Sequence, residues 1–79
     1  MRYFFHHTKR DCSVLDLEGS EHSETQGALA EALDAAREIM ATAIRQGRDV
    51  SGEAFRIVDA ERTLIAHLPF QQAFRLGDD

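Results

Sequence analysis

The chain has 79 residues, of which 14 are acidic and 9 are basic, and its net charge is −5. This length predicts one domain over residues 1–79, because a second hydrophobic core would have too few residues to close. The basic residues are scattered, whereas nucleic-acid-binding proteins gather theirs into a patch, so nucleic acid is disfavoured as a partner. The single cysteine excludes an internal disulfide, and no apolar run is long enough for a signal peptide or a membrane span. We therefore expect a cytoplasmic protein without membrane contact.

Two strand candidates open the chain. Residues 2–9 contain three consecutive aromatic side chains, which suit a pleated surface. Residues 13–18 would place Leu15 and Leu17 on one side of a strand and Val14 and Asp16 on the other. The polar stretch between them predicts a hairpin turn. Gly19 then has the freedom to take a positive φ where the chain turns towards the next element.

Residues 23–46 are predicted to form a long amphipathic helix. Ser23 and Gln26 have the spacing of a capping box, and Gly47 is the residue expected to end the helix in a left-handed conformation. Apolar side chains recur three and four positions apart, which is typical of one helix face. That face comprises Leu29, Leu33, Ala36, Met40, Ala43 and Ile44.

A second hairpin follows the helix, with strands over residues 53–59 and 63–68 and a short amphipathic helical turn near Phe74. The predicted fold is α+β in two layers, in the order β-β-α-β-β, with a short C-terminal helix. An antiparallel sheet of about four strands carries one long helix on one face. We expect Phe5, Leu33 and Met40 to be among the most buried residues. Periodicity alone leaves the strand order open.

Several short motifs resemble the DUF6894 family, short bacterial proteins of unknown function. They are "RYFFH" at residues 2–6, "DLEG" at residues 16–19 and "LPF" at residues 68–70, and the resemblance extends over residues 2–75. It implies the same fold and brings no catalytic residues. Members of the family usually have a glycine in the last hairpin turn, where this chain has residues 60–62, Ala-Glu-Arg.

The candidates for chemistry are few. His6 and His67 could share a metal ion with Asp16 if the first and last strands were neighbours, but no short ligand spacing supports a metal site. Cys12 lies near cations and a histidine, yet nothing supplies an oxyanion hole or an orienting third group. We therefore expect no catalytic site, no metal and no cofactor.

The strands divide the apolar residues into two faces. One set is expected to lie under the helix: Tyr3, Phe5, Leu15, Leu17, Phe55, Ile57, Leu64, Ala66 and Leu68. The other set forms the predicted interaction face: Phe4, His6, Val14, Val58, Ile65 and His67.

The second set is too apolar for a solvated surface, which favours a non-enzymatic protein-interaction or regulatory module. Its partner would be another protein or a second copy of the chain. The alternatives are a nucleic-acid-associated module of the HicB-like antitoxin type and, third, a metal-binding protein.

Overall fold

Five strands and one long helix make up two layers in the computed structural model. The structure describes residues 1–75, and it describes only the backbone of residues 74 and 75. The helix α1 (Thr25–Arg45) lies between the third and fourth strands, and one helical turn, α2 (Gln72–Arg75), follows the fifth. The strands are β1 (Arg2–Thr8), β2 (Ser13–Val14), β3 (Ser20–Glu21), β4 (Ala54–Asp59) and β5 (Leu64–Pro69).

This architecture confirms the predicted α+β fold with an antiparallel sheet and one long helix. The predicted short C-terminal helix is not shown, because the structure describes only the single helical turn α2 in that region. The side chain of Phe74, which was part of this prediction, lies outside what the structure describes. Over residues 1–75, no helix combines the length and the apolar character needed to cross a membrane.

The sheet has the order β2-β1-β4-β5, and β3 pairs with the same edge of β1 as β2 does. Its centre is the antiparallel pair β1 and β4, which runs from Tyr3 opposite Asp59 to Thr8 opposite Ala54. β4 therefore separates β1 from β5. The first and last strands are not neighbours.

The predicted second strand, residues 13–18, is wrong in its extent. Only Ser13 and Val14 form β2, and the chain returns to the edge of β1 as β3 six residues later. Between these two short pairings the Phe5 N–H has no strand partner and donates to the Asp16 carboxylate at 3.0 Å. A side chain thus takes the place of strand backbone, and the sheet has five strands where about four were predicted.

The helix packs on the sheet through alanines. Its buried residues are Ala28, Ala32, Ala36, Met40 and Ala43. Met40 is buried as predicted, whereas Leu33 and Phe5 are half-buried and flank the core. Ile44 is 69% exposed, so the buried face of the helix is rotated from the predicted face towards the alanines. Small side chains let the helix approach the bulky rings of the sheet closely, and the leucines then fall to the sides.

The two helix ends differ in how their backbone groups are satisfied. The predicted capping box is wrong, because Glu24 is the N-cap and its side chain makes no capping hydrogen bond. The C-terminal prediction is confirmed: Gly47 has φ +71°, and the N–H groups of Gly47 and Arg48 donate to the carbonyls of Ile44 and Ala43 at 3.1 and 2.8 Å. These two bonds form a Schellman motif.

The turn between β4 and β5 depends on the side chain of Asp59. Its Oδ1 accepts hydrogen bonds from the N–H groups of Glu61 and Thr63, each at 2.9 Å. Arg62 has φ +68°, a left-handed conformation that suits glycine better than arginine. This is the turn in which the resemblance noted above leads one to expect a glycine.

Replacing Ala36 by Leu should lower the free energy of unfolding by about 1–3 kcal/mol, because Ala36 is fully buried where the helix approaches the sheet. Ala41→Leu is the matched control, since Ala41 is exposed on the same helix. It should leave stability nearly unchanged. Urea denaturation of both variants measures the difference, and equal losses would contradict the alanine-centred packing.

Replacing Arg62 by Gly should raise the free energy of unfolding by up to about 1 kcal/mol, because glycine adopts a positive φ without steric cost. Arg62→Ala removes the same side chain but keeps a Cβ, so it should bring no such gain. Thermal and urea denaturation compare the three proteins. A gain in the alanine variant equal to that in the glycine variant would show that the side chain, not the backbone, is the cause.

Candidate interaction face

One face of the sheet is not covered by the helix. The register places His6, Arg56 and His67 in one row across β1, β4 and β5, and Phe4, Val58 and Leu64 in the next row. Opposed residues of paired strands point to the same side of a sheet. We call this surface the open face, defined by Phe4, His6, Arg56, Val58, Leu64 and His67.

Four of the six residues of the predicted interaction face lie on the open face: Phe4, His6, Val58 and His67. Phe4, His6 and Val58 are half-buried, and His67 is exposed. The alternation along β1 and β4 was sufficient to place Phe4, His6 and Val58, because the pairing of these two strands is uninterrupted. His67 lies on β5, opposite Arg56.

Val14 does not lie on the open face. It pairs with His7, and the His7 ring lies 5.5 Å from the ring of Phe55 and 5.1 Å from that of Phe70, on the covered side of the sheet. Val14 therefore belongs to the edge of the covered side, where it is 50% exposed. The prediction for this residue failed because the register between β1 and β2 could not be read from periodicity.

Ile65 does not lie on the open face either. Ile57 pairs with Ala66 but Val58 pairs with Leu64, so Ile65 is the extra residue of a β-bulge. Ile65 packs against the buried core, and Leu64 takes the predicted place on the open face with 49% of its surface exposed. The bulge therefore places Leu64 on the open face and Ile65 against the core, which is the reverse of the prediction.

Leu15 and Leu17, which were predicted to lie under the helix, are exposed. Leu17 has 83% of its surface accessible and Leu15 has 61%. Both lie in the connection between β2 and β3, where the chain leaves the sheet and strand alternation no longer applies. Their exposure adds two large apolar side chains beside the open face.

An open groove of about 630 Å³ lies over one end of the open face. Phe4 and Val58 line it from the sheet, Leu15 and Leu17 from the loop on one side, and the turn containing Arg62 from the other. His6, Asp16, Asp59 and Ala60 complete the lining. The groove thus joins the predicted face to two leucines that the sequence pattern had assigned to the core.

Asp16 organises the loop that carries these leucines. Its Oδ2 accepts the Phe5 N–H at 3.0 Å, and its Oδ1 accepts the N–H groups of Glu18 and Gly19 at 3.2 and 3.1 Å. Its own N–H donates to Nδ1 of His6 at 3.0 Å. Burial opposes ionisation, but the backbone donors of Phe5, Gly19 and Glu18 together outweigh it and lower the pKa of Asp16.

Gly19 allows the same loop to close against β1. Its φ is +70°, and a Cβ at this position would lie 2.7 Å from the Tyr3 carbonyl oxygen and 2.9 Å from Cε2 of Phe4. No other residue fits there without moving the strand. Asp16 and Gly19 therefore hold Leu15 and Leu17 beside Phe4.

The histidines make contacts within the chain. His6 and His67 are separated by Arg56 on the strand between them, about 10 Å across two strand spacings, so the neighbouring strands assumed for a metal site are not present. His7 contacts Glu53 at 2.6 Å and His22 contacts Glu31 at 2.6 Å. In residues 1–75, no three His, Cys, Asp or Glu side chains are grouped as metal ligands.

Sequence reasoning missed both histidine–glutamate pairs. His7 and Glu53 are 46 positions apart, and their side chains are each 17% exposed. His22 and Glu31 join the loop after β3 to the helix. No local pattern marks such pairs, because each depends on how distant elements pack.

The family model for a domain of unknown function, DUF6894, matches residues 2–71. The chain belongs to the DUF6894 family. Comparison with the curated proteins and with the solved structures found no match. In this DUF6894 chain, the turn "DLEG" has a structural explanation: Asp16 accepts backbone N–H groups, and Gly19 makes the close approach to β1.

Replacing Asp16 by Asn should lower the free energy of unfolding by about 1–2 kcal/mol near neutral pH, because the amide cannot accept all three backbone bonds. Since the pKa of Asp16 is lower in the folded chain than its ordinary value of 3.8, ionised Asp16 stabilises the fold above that pH. The stabilisation is lost as the pH falls through the folded-state pKa.

Urea denaturation of the wild-type chain and the Asp16→Asn variant at several pH values, from neutral down to below 3.8, measures this effect. The stability difference between them should shrink at the acidic end. Asp34→Asn is the matched control, because the Asp34 side chain is 83% exposed on α1. A difference for Asp16→Asn that stays constant with pH would contradict the proposed role of the carboxylate.

Proposed function

We propose that this DUF6894 chain is a non-enzymatic protein-interaction module that docks another protein on its open face. The observation that carries the proposal is the groove, in which Phe4 and Val58 meet the exposed leucines of the loop. Contiguous exposed apolar surface of this kind usually marks an interaction site, because its exposure to water is unfavourable.

The covering of the sheet supports the same proposal. Antiparallel sheets often leave one face to solvent, but that face is then mainly polar. Here the row formed by Phe4, Val58 and Leu64 is apolar, and α1 lies on the other side of the sheet. A docked protein would bury this row together with Leu15 and Leu17.

The non-enzymatic part of the proposal is supported by the hydrogen bonds in which the candidate reactive side chains already take part. Asp16 uses both carboxylate oxygens for backbone N–H groups, and His6 accepts the Asp16 N–H. The free thiol of Cys12 is exposed in a hairpin turn, which offers no enclosed pocket for a substrate. Stoichiometric zinc in protein purified without an affinity tag would overturn this part. We propose that the module works in the cytoplasm.

The experiment compares the wild-type chain with a variant carrying Leu15→Ser and Leu17→Ser. Both leucines are exposed, so these substitutions should leave the fold intact, as circular dichroism would show. In affinity capture from the native cell, the wild-type chain should retain a protein that the double variant loses. Ile44→Ser is the matched control, because Ile44 is 69% exposed on the helix, in the other layer. It should retain the same protein.

Three outcomes would overturn the proposal. The first is equal capture by all three chains, which would show that the open face is not the contact. The second is self-association of the wild-type chain in sedimentation velocity that the double variant loses, because the partner would then be a second copy. The third is salt-sensitive binding of mixed RNA or DNA, which would favour the nucleic-acid-associated class.

A further inference from the structure

We propose that His6 is a pH-sensitive switch, which holds the loop between β2 and β3 against β1 while its ring is neutral and loosens that loop when its ring is protonated. The contact that carries the switch is a hydrogen bond of 3.0 Å, in which the Asp16 backbone N–H donates to Nδ1 of His6. The switch is a property of the chain itself, and it stands whether or not a protein docks on the open face.

The direction of this hydrogen bond fixes the protonation of one ring nitrogen. A backbone N–H can only donate, so Nδ1 of His6 is unprotonated and accepts. A neutral imidazole with its proton on Nε2 meets this requirement. An imidazolium carries a proton on both nitrogens and has no acceptor, so protonation of His6 breaks the bond to Asp16. Histidine is the side chain whose charge ordinarily changes between about pH 5 and 8.

Charged and titratable groups face His6 from each element that packs against it. They are Asp16 on the loop, Arg56 on β4, His67 on β5, and Asp59 and Arg62 at the turn between β4 and β5. The two carboxylates and the two guanidinium groups are equal in number and opposite in charge. The nearest carboxylate, that of Asp16, would attract an imidazolium, but a ring that turns towards it also leaves the Asp16 N–H without its acceptor.

The loop has a second anchor that does not change over the same pH range. The Asp16 carboxylate accepts three backbone N–H groups, including that of Gly19. The pKa of Asp16 lies below its ordinary value of 3.8, so this carboxylate stays ionised where histidine titrates. Leu15 comes directly before the N–H that His6 accepts, and it is 61% exposed. Loss of the His6 bond should therefore loosen the loop at Leu15, while the Gly19 end stays attached to β1.

The experiment follows the full chain by NMR from about pH 8 to about pH 5. The nitrogen chemical shifts of the His6 ring should show Nδ1 unprotonated and Nε2 protonated at the alkaline end. As the ring gains its second proton, the protection of the Asp16 amide against hydrogen exchange, corrected for the intrinsic effect of pH, should fall about three- to ten-fold. The Gly19 amide, which donates to the Asp16 carboxylate, should keep its protection.

Two variants separate His6 from the other histidines. His6→Asn places a side-chain oxygen close to the position of Nδ1, so it can accept the Asp16 N–H but does not titrate. The protection of the Asp16 amide should then be constant with pH. His67→Asn is the matched control, because His67 is the other histidine of the open face and lies two strands from β1. It should leave the pH dependence at Asp16 unchanged.

Three results would overturn the switch. The first is an Asp16 amide in the wild-type chain whose protection does not change as the His6 ring titrates. The second is a pH dependence that persists in His6→Asn, which would assign it to His7 or His22, since both remain in that variant. The third is a protonated Nδ1 of His6 at the alkaline end, which would contradict its role as an acceptor whether or not either variant folds.

Discussion

A single helix can cover only one face of a sheet, and the close packing of α1 on that face decides the rest of this structure. Its alanines, Ala28, Ala32, Ala36 and Ala43, are fully buried against strands that carry Tyr3, Phe55 and Ile57. Small helix residues opposite large strand residues fill the interface without voids. The helix therefore buries the apolar residues of one face, and the apolar residues of the opposite face have no second helix to cover them within residues 1–75.

The edge of β1 shows how a side chain can replace a strand. β2 and β3 are two residues each, too short to pair with the whole edge, and the Asp16 carboxylate accepts the N–H between them. The loop can therefore leave the plane of the sheet while the Phe5 N–H keeps a hydrogen-bond acceptor. For that reason Leu15 and Leu17 can project beside Phe4 and not continue the pleat. The same local arrangement explains why an aspartate and a glycine are needed three residues apart.

The open face combines features that rarely occur together on a solvated sheet. Its apolar row is continuous with the exposed leucines of the loop, and its polar row holds Arg56 between His6 and His67. Burial of the apolar row would supply most of the affinity for a docked protein.

The sequence by itself determined the long helix, the two hairpins and the face to which Phe4, His6 and Val58 belong. These features follow from local periodicity and from single residues such as Gly47, whose conformational freedom does not depend on distant contacts. Only the tertiary structure decided the strand order, the bulge that exchanges Leu64 and Ile65, and the exposure of Leu15 and Leu17. The reason is physical: register and alternation are properties of pairs of strands, and a hydrogen bond such as that from Phe5 to Asp16 interrupts a pattern without leaving a mark in composition.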